Sequence, residues 1–265
     1  MASKEVSIFN IHITSLQWFV YLGYRMNYQL TSDLTPSELP KAAALAAAAF
    51  TDTPCYNQIM PCNNNDILKQ TTFLAWLFEK NFQLRLNDDC YRCTYDSNKL
   101  ISFFMFTKPD VRHPTCCDML KVGLILGLWR YGFGVVRRLL ATKSWFETKE
   151  LELFGERTGT MIRLERMTVL PEYQGKGVGS FALKAALEEA DALDLACILA
   201  TQERRNVIFY TRLGFKVVDE SQVPIGEGYE NWFMIREAVD QKKVEELLKN
   251  GKLSNDSEII QLKRI

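Results

Sequence analysis

Residues 166–180 read Arg-Met-Thr-Val-Leu-Pro-Glu-Tyr-Gln-Gly-Lys-Gly-Val-Gly-Ser, and this stretch decides the fold. It joins an apolar segment, 161–170, which is typical of a buried strand, to an amphipathic segment, 177–192, which is typical of a helix. Gly175, Gly177 and Gly179 stand at every second position, so the backbone can approach a ligand closely with its amides turned toward it. Because a helix begins there, its N-terminal dipole favours an anion such as a pyrophosphate.

A glycine-rich turn by itself is compatible with a structural turn or with a nucleotide site. The Rossmann spacing G-x-G-x-x-G is not met, because the glycines run G-x-G-x-G, and the Gly-Lys-Ser/Thr ending of a P-loop is absent. Farther along, residues 203–215 read Glu-Arg-Arg-Asn-Val-Ile-Phe-Tyr-Thr-Arg-Leu-Gly-Phe. This segment predicts a short helix over 204–213 that Gly214 closes.

Together the two segments resemble motifs A and B of the GNAT superfamily of acyl-CoA-dependent N-acyltransferases. The loop from Gln174 fits the motif A pattern R/Q-x-x-G-x-G/A, and Asn206, Tyr210 and Gly214-Phe215 match motif B. The C-terminal half looks most like the puromycin N-acetyltransferase-type branch, through residues 171–180, the motif B run and residues 223–236. It departs from that branch at Ala200, where those relatives tend to carry Glu.

The resemblance implies a site for acetyl-CoA. The strand amides before the loop would pair with the pantetheine arm, and the loop amides would bind the pyrophosphate, with the charge of Lys176 near the phosphates. Asn206 would bond the pantetheine side. The implied cofactor-binding residues are Met167, Thr168, Val169, Gln174, Gly175, Lys176, Gly177, Val178, Gly179, Ser180, Asn206 and Tyr210.

The resemblance also implies two catalytic residues, each with a structural alternative. Tyr210 would be the general acid that protonates the leaving thiolate, and otherwise it is a buried tyrosine on an amphipathic helix. Glu165 is the candidate general base, although Arg163 and Arg166 are close enough in sequence to pair with it. Strand alternation predicts that Glu165 shares one face with Arg163, Met167 and Val169.

The rest of the chain predicts one α/β domain. Strand patterns at 25–31, 90–96 and 100–107 and helix patterns at 35–50 and 66–80 precede a region in which strands and helices alternate. With the resemblance, this predicts a single GNAT fold over 25–237, a central mixed and splayed β-sheet flanked by helices. A helical insertion at 109–154 precedes the motif A strand. Residues 1–24 form an N-terminal extension, and 238–265 a C-terminal helix and tail.

Composition excludes some classes of protein. The chain has 265 residues, 47% of them hydrophobic, and 32 basic residues balance 32 acidic ones. Extensive disorder and a dedicated nucleic-acid binder are both disfavoured by those values. Seven cysteines indicate free thiols in a reducing, cytoplasmic setting. Cys90 and Cys93 form a CxxC pair, but an i, i+3 pair on a strand is expected to point to opposite faces, so we predict no metal site.

The insertion contains an apolar run, 119–140, that also carries Lys121, Arg130, Arg137 and Arg138. The favoured interpretation is one or two helices packed on the domain; a lid over a pocket is compatible with it, and peripheral membrane attachment is the less favoured alternative. The N-terminal run 6–24 is interrupted by polar residues and is too short to predict a spanning helix.

The predicted function is acetyl transfer from acetyl-CoA to a primary amine of a small molecule by direct attack, since the apolar insertion suggests a covered acceptor pocket. A protein N-acetyltransferase acting on lysine or an N-terminus, which needs an open groove, and a non-catalytic acyl-CoA sensor are the alternatives. We expect acetyl-CoA and a small amine as partners, no nucleic acid or membrane, and a monomer or homodimer.

Overall fold

The computed structural model describes residues 28–31, 34–61 and 67–239. The predicted N-terminal extension, the first residues of the predicted strand 25–31 and nearly all of the predicted C-terminal helix and tail lie outside these ranges. Residues 237–239 form no helix.

Seven strands of the described residues form one mixed sheet in the order β1-β2-β3-β4-β5-β7-β6. Among them only the β4–β5 pair is parallel. Residues 96–99, Asp-Ser-Asn-Lys, separate two strand patterns and predict a hairpin turn. A tight turn at Ser97 and Asn98, both with positive φ, joins β2 to β3 there. The strands are β1 (Tyr28–Thr31), β2 (Tyr91–Asp96), β3 (Lys99–Thr107), β4 (Ile162–Val169), β5 (Cys197–Thr201), β6 (Lys216–Val223) and β7 (Tyr229–Arg236).

Helices cover both faces of the sheet, which confirms the predicted α/β architecture. On one face α7 packs over a cluster that includes Phe104, Ile162 and Leu183. On the other face α1 and α3 enclose a cluster that includes Phe78 and Phe103. The helices are α1 (Leu39–Phe50), α2 (Pro54–Ile59), α3 (Ile67–Leu84), α4 (Cys116–Lys121), α5 (Leu124–Leu128), α6 (Phe133–Phe154), α7 (Val178–Ala192) and α8 (Arg204–Thr211).

The predicted splay of the sheet lies between β4 and β5. These strands pair only at Ile162 with Cys197 and at Arg163 with Ile198, and they separate after that. The remaining residues of β4 therefore present an unpaired backbone edge to a wedge-shaped opening, which we call the gap. Parallel strands expose both N–H and C=O groups along such an edge, so the gap can accept an extended ligand that bonds to the backbone.

The helical insertion is confirmed, with a different division from the one predicted. The sequence favoured helices at 119–140 and 143–154, whereas α4 and α5 are short and α6 runs unbroken from Phe133 to Phe154. The break falls at Gly132, whose φ of 90° is accessible to glycine and costly for other residues. The insertion packs on the face that carries α1 and α3, where the Arg138 Nε donates to the Ile59 carbonyl at 2.8 Å.

No helix among residues 28–31, 34–61 and 67–239 is long and apolar enough to cross a membrane.

Candidate functional site

A β-bulge in β4 determines which side chains face each side of the sheet. The register with β3 shifts between Phe103, which pairs with Thr168, and Met105, which pairs with Glu165. Arg166 sits in the bulge with a φ of 54°. An extra residue in one strand reverses the alternation beyond it, so the prediction that Glu165 and Met167 share a face is wrong.

The two sides of the bulge contact different parts of the fold. Arg163 pairs with Glu150 of α6 at 2.9 Å, and Glu165 is opposite Met105 of the α1–α3 cluster. Beyond the bulge, Met167 and Val169 instead lie near Gly179 at the start of α7. Met167 packs against the α7 cluster. The side chain of the candidate base and those of Met167 and Val169 therefore lie on opposite faces of the sheet.

Glu165 lies beside Arg166, as the structural alternative expected. The Arg166 Nη1 is 3.5 Å from the Glu165 Oε1, and the guanidinium carbon is 5.9 Å from the centre of the Phe78 ring. The Glu165 side chain keeps 42% of its surface exposed, so its carboxylate stays accessible. Its geometry is compatible with an ion pair and with proton transfer from a water or an amine at the gap.

The end of β4 directs some of its amides into the gap. The Leu170 N–H donates to the Ile101 carbonyl of β3 at 2.8 Å, and the Ser102 hydroxyl donates to the Thr168 carbonyl at 2.8 Å. Because backbone groups alternate in direction along a strand, Thr168 faces β3, and the amides of Met167 and Val169 face β5. Of the three predicted strand amides, two are thus oriented toward the gap and Thr168 is directed away from it.

The loop that follows is built to expose its amides. Gly175 and Gly177 have φ values of 72° and 82°, and a Cβ added at either would have nothing within 4 Å. Gly177 is also the N-cap residue of α7, and no side chain caps the helix there. The first N–H groups of the helix, among them those of Val178, Gly179 and Ser180, therefore lack both helical and side-chain partners and can bind an anion.

Gly179 has a separate role in packing. A Cβ there would be 3.3 Å from the Met167 Cε, 3.4 Å from the Val169 Cγ2 and 3.6 Å from the Phe209 Cζ. The missing side chain allows the start of α7 to lie directly against the end of β4 and against α8. Gln174 connects the same elements, because its Nε2 donates to the Val169 carbonyl at 3.0 Å. The Gln174 side chain therefore links the glycine loop to the end of β4, the strand that precedes the loop.

Lys176 and a lysine that the motifs did not reveal flank Tyr173. The Nζ atoms of Lys176 and Lys99 lie 5.5 Å and 5.6 Å from the centre of its ring. Lys99 also pairs with Glu172 at 2.8 Å, and the Tyr173 hydroxyl donates to Asp96 at 2.9 Å. Lys99 comes from the β2–β3 hairpin, so only the folded chain brings it to the loop.

The predicted motif B residues lie on α8. Asn206 is in its first turn and partly exposed, while Tyr210 is 8% exposed between the rings of Phe209 and Phe215, at centroid distances of 5.1 Å and 5.7 Å. Burial raises the pKa of Tyr210 above its ordinary value of 10.0, because the phenolate would lose its hydration. Tyr210 therefore remains protonated at neutral pH, as a general acid requires. Its cluster is the α7 cluster, on the face opposite Glu165.

The face that carries Glu165 is walled by α2 and α6. Tyr56 of α2 lies beside Arg166 on β4, and Cys55 lies beside Tyr229 on β7, so α2 lies over the strands that flank the gap. The Gln58 Oε1 accepts a hydrogen bond from the Glu227 N–H at 2.9 Å, which ties α2 to the turn before β7.

The second wall of this face is α6, whose Trp145 and Phe146 rings pack against Phe233. No motif marks Tyr56 or Tyr229, so sequence reasoning missed both.

The structure does not bring the cysteines that it describes together as a metal-ligand set. Cys90 precedes β2, after Asp89 with a φ of 46°, so it does not obey strand alternation and shares one buried cluster with Cys93. The expectation of opposite faces is wrong for that reason. Burial raises the pKa of the Cys90 thiol to about 12, which opposes the thiolate that zinc binds. Among the described residues no three His, Cys, Asp or Glu side chains converge as a metal site.

Residues 132–217 match a family model described as Acetyltransferase (GNAT) domain. This part of the chain is therefore similar to a GNAT acetyltransferase domain. The matched range spans α6, the glycine loop, α7, β5 and α8, so it includes every predicted catalytic and cofactor-binding residue.

Solved structures share this GNAT fold at low sequence identity. One is an insect protein assigned as arylalkylamine N-acetyltransferase 7, from the yellow fever mosquito Aedes aegypti; it is 13% identical with a TM-score of 0.53, and the match covers 79% of this chain and 87% of that chain. Another, described as histone acetyltransferase HPA2 and related acetyltransferase from Corynebacterium glutamicum, is 17% identical with a TM-score of 0.50, over 80% and 97% of the two chains. These similarities establish the fold.

Proposed function

We propose that this protein is an acetyl-CoA-dependent N-acetyltransferase that transfers the acetyl group to a primary amine of a small molecule by direct attack. The observation that carries the proposal is the gap between β4 and β5. It has the uncapped amides of the glycine loop at its mouth, Tyr210 on one face of the sheet and Glu165 on the other. The match of residues 132–217 to a GNAT acetyltransferase model supports the same reaction class.

In this proposal the loop amides from Gln174 to Ser180 bind the pyrophosphate, and Lys176 adds a charge close to it. The open space at Gly175 and Gly177 supports this assignment, since a phosphate must approach the backbone where other residues would place a Cβ. The amides of Met167 and Val169 bind the pantetheine arm in the gap, with Asn206 on its other side. Thr168 contributes through its position in the bulged strand, since its own amide faces β3.

In this arrangement the acid, Tyr210, acts on the leaving sulfur, and the base, Glu165, acts on the amine. A neutral amine attacks the thioester carbonyl, strand amides stabilise the oxyanion, and the C–S bond then breaks. Glu165 takes a proton from the acceptor ammonium before the attack, directly or through water, and the nitrogen loses its second proton to solvent as the amide forms. Tyr210, which stays protonated at neutral pH, gives its proton to the departing thiolate and is reprotonated from solvent. The attacking nitrogen and the sulfur lie on different sides of the carbonyl carbon in the tetrahedral intermediate, so an acid and a base on opposite faces of the sheet suit one another.

The acceptor side supports a small molecule in preference to a polypeptide. The helices α2 and α6 wall that face, and their aromatic side chains, Tyr56, Trp145 and Phe146, suit an apolar amine more than a peptide backbone. Proteins of the same fold carry both kinds of name, arylalkylamine and agmatine N-acetyltransferases as well as a histone acetyltransferase. Acetylation of a lysine or an N-terminus is therefore the second candidate.

Four further assignments are proposed. The likeness of residues 171–180 and 223–236 suggests a relation to the puromycin N-acetyltransferase-type branch, and the departure at Ala200 argues that the acceptor contacts differ from those of that branch. The GNAT domain is proposed to span 25–237 with 109–154 as its insertion. A cytoplasmic location and a monomer or homodimer are proposed too, the former from free thiols such as Cys116 and Cys117 on the surface.

The test is a screen of amines with acetyl-CoA, read as release of free thiol. The panel holds arylalkylamines, polyamines, aminoacyl amines and peptides with a free lysine or N-terminus. We expect turnover of at least one small amine and none of the peptides. Turnover of peptides alone would replace the small-molecule assignment with the second candidate. Binding of acetyl-CoA by calorimetry with no turnover of any amine would instead identify a sensor and overturn the proposed activity.

A further inference from the structure

The outer face of the insertion exposes a group of large apolar side chains that the GNAT function does not use. Leu126, Trp129, Phe133 and Leu140 are 68%, 61%, 67% and 57% exposed. The rings of Trp129 and Phe133 stack at 6.3 Å between centroids, so the two form one continuous surface. Single exposed apolar residues are normal, whereas a cluster that includes two aromatic rings marks a binding surface.

Positive charge accompanies this surface. Arg130 and Arg137 alternate with the apolar side chains at helical spacing and are exposed, and neither forms an ion pair with another described residue. Between residues 119 and 146 the chain has five Lys or Arg and no Asp or Glu, although its total charge is zero. We call Leu126, Trp129, Arg130, Phe133, Arg137 and Leu140 together the apolar-basic face.

The insertion does not need these side chains for its own packing. Its inner side is held by Tyr131, whose ring lies 4.7 Å from Phe73 and 5.3 Å from Trp76, by Val135 in the core and by the Arg138 bond to Ile59. Gly127 lies so close to Trp76 that an added Cβ would be 2.1 Å from the indole. The apolar-basic face is therefore the outer side of an insertion whose inner side is already well packed. Packing within the domain does not explain the composition of this outer side.

We propose that the apolar-basic face binds the surface of an anionic lipid bilayer. Trp and Phe side chains partition to the boundary between headgroups and acyl chains, and arginines beside them pair with headgroup phosphates. Exposed Leu126 and Leu140 add apolar area that a nucleic acid would not bury. Since α5 and α6 are too short or too polar to span a bilayer, the insertion would lie in the plane of the interface.

The test uses the full chain with two kinds of vesicle, phosphatidylcholine alone and phosphatidylcholine mixed with phosphatidylserine, in a sedimentation assay. We expect binding to the mixed vesicles, weakened by added salt, and little binding to phosphatidylcholine alone. Replacing Trp129→Ser together with Phe133→Ser should weaken vesicle binding at least about tenfold. Replacing Arg130→Gln together with Arg137→Gln should weaken it about fivefold per residue at low salt.

Matched controls change the same residue types elsewhere. Leu151→Ser with Leu193→Ser removes two apolar side chains of similar exposure, and Lys184→Gln with Arg212→Gln removes two exposed charges. Both control pairs should bind vesicles as the parent does. Circular dichroism and thiol release with an amine substrate show that each variant is folded.

Three results would overturn the proposal. The full chain could fail to sediment with the mixed vesicles, as would happen if another segment of the chain covers this face. The Trp129 and Phe133 changes could convert a dimer to a monomer with no effect on vesicles, which would make the face an interface between two copies. The chain could also bind RNA and no vesicle, which would assign the arginines to a nucleic acid.

Discussion

The two faces of the sheet at the gap are built in different ways. On the α7 face, the glycine loop, the start of α7 and α8 come from one stretch of chain, and the groups that the loop leaves without partners are mainly backbone amides. On the opposite face, Tyr56, Arg166 and Tyr229 come from three distant segments, and their side chains lie close together. The first kind of site can be read in a linear motif, because spacing alone specifies it. The second kind exists only after α2 has been placed across the gap.

The largest expected effect concerns how α7 is held to the rest of the sheet. The Asp191 carboxylate accepts one hydrogen bond from each Nη atom of Arg236, both at 2.7 Å, and both side chains are 7% exposed. Asp191→Ala would leave Arg236 buried without its partner, so we expect the free energy of unfolding to fall by about 3–5 kcal/mol. Urea unfolding followed by circular dichroism measures the change.

The control for this prediction is Glu237→Ala. It removes the partner of Arg157 from a pair whose side chains are 57% and 53% exposed, and the expected loss is below about 1 kcal/mol. Equal losses for the two variants would mean that α7 does not depend on the buried pair.

The next effect separates the chemistry from the binding on the α7 face. Tyr210→Phe keeps the ring packed on Phe209 and Phe215 and removes only the acidic hydroxyl. We expect kcat to fall about 100-fold with the Kd for acetyl-CoA unchanged, because a general acid typically contributes at least that factor. Calorimetry and steady-state thiol release measure the two quantities.

The pH dependence follows from the raised pKa of Tyr210. A phenol with a pKa above 10.0 is protonated across the neutral range, so kcat of the parent should show no loss from Tyr210 ionisation until the pH passes its ordinary value of 10.0. A parent kcat that Tyr210→Phe leaves intact would mean that Tyr210 is only a buried structural residue.

A smaller effect tests whether the loop binds through its backbone. Gly177→Ala places a methyl group where the φ of 82° disfavours it and where a phosphate would approach. We expect the Kd for CoA to rise about tenfold, since the strain alone is worth about 1–2 kcal/mol. Gly123→Ala is the matched control, because Gly123 has a φ of 75° and equal open space but lies outside the loop. If the two variants bind CoA alike, the loop assignment is wrong.

The smallest effect tests the opposite face. Tyr56→Phe removes the hydroxyl that lies beside Arg166, while contact with Phe50 and Phe78 keeps the ring in place. We expect the KM for the amine to rise about threefold, which corresponds to the loss of one polar contact, with the Kd for acetyl-CoA unchanged. A change in the Kd for acetyl-CoA with no change in the KM for the amine would assign α2 to the cofactor side.

Much of the fold could be predicted because its signals are local. The glycine loop, the helix after it, the Gly214 turn and the β2–β3 hairpin all lie where the sequence predicted them. The bulge at Arg166 could not be predicted, since it depends on the register that β4 adopts against β3. It is what separates Glu165 from Met167, which simple alternation had put together. The sequence did not predict that residues 133–154 form a single helix, because glycine at 134 and polar residues at 142–144 weaken the helical pattern.

The sequence by itself determined the α/β class and the glycine-rich loop before α7, because those features depend on glycine, on periodicity and on spacing within short stretches. The residues proposed to hold acetyl-CoA came from the resemblance of two short motifs to a known family. Only the tertiary structure decided that the acid and base candidates lie on opposite faces, that Tyr56 and Tyr229 lie on the face of Glu165 and that Trp129 and Phe133 remain outside. Each of these depends on which surface of a strand or helix another element covers. Long-range packing settles that, and no local pattern encodes it.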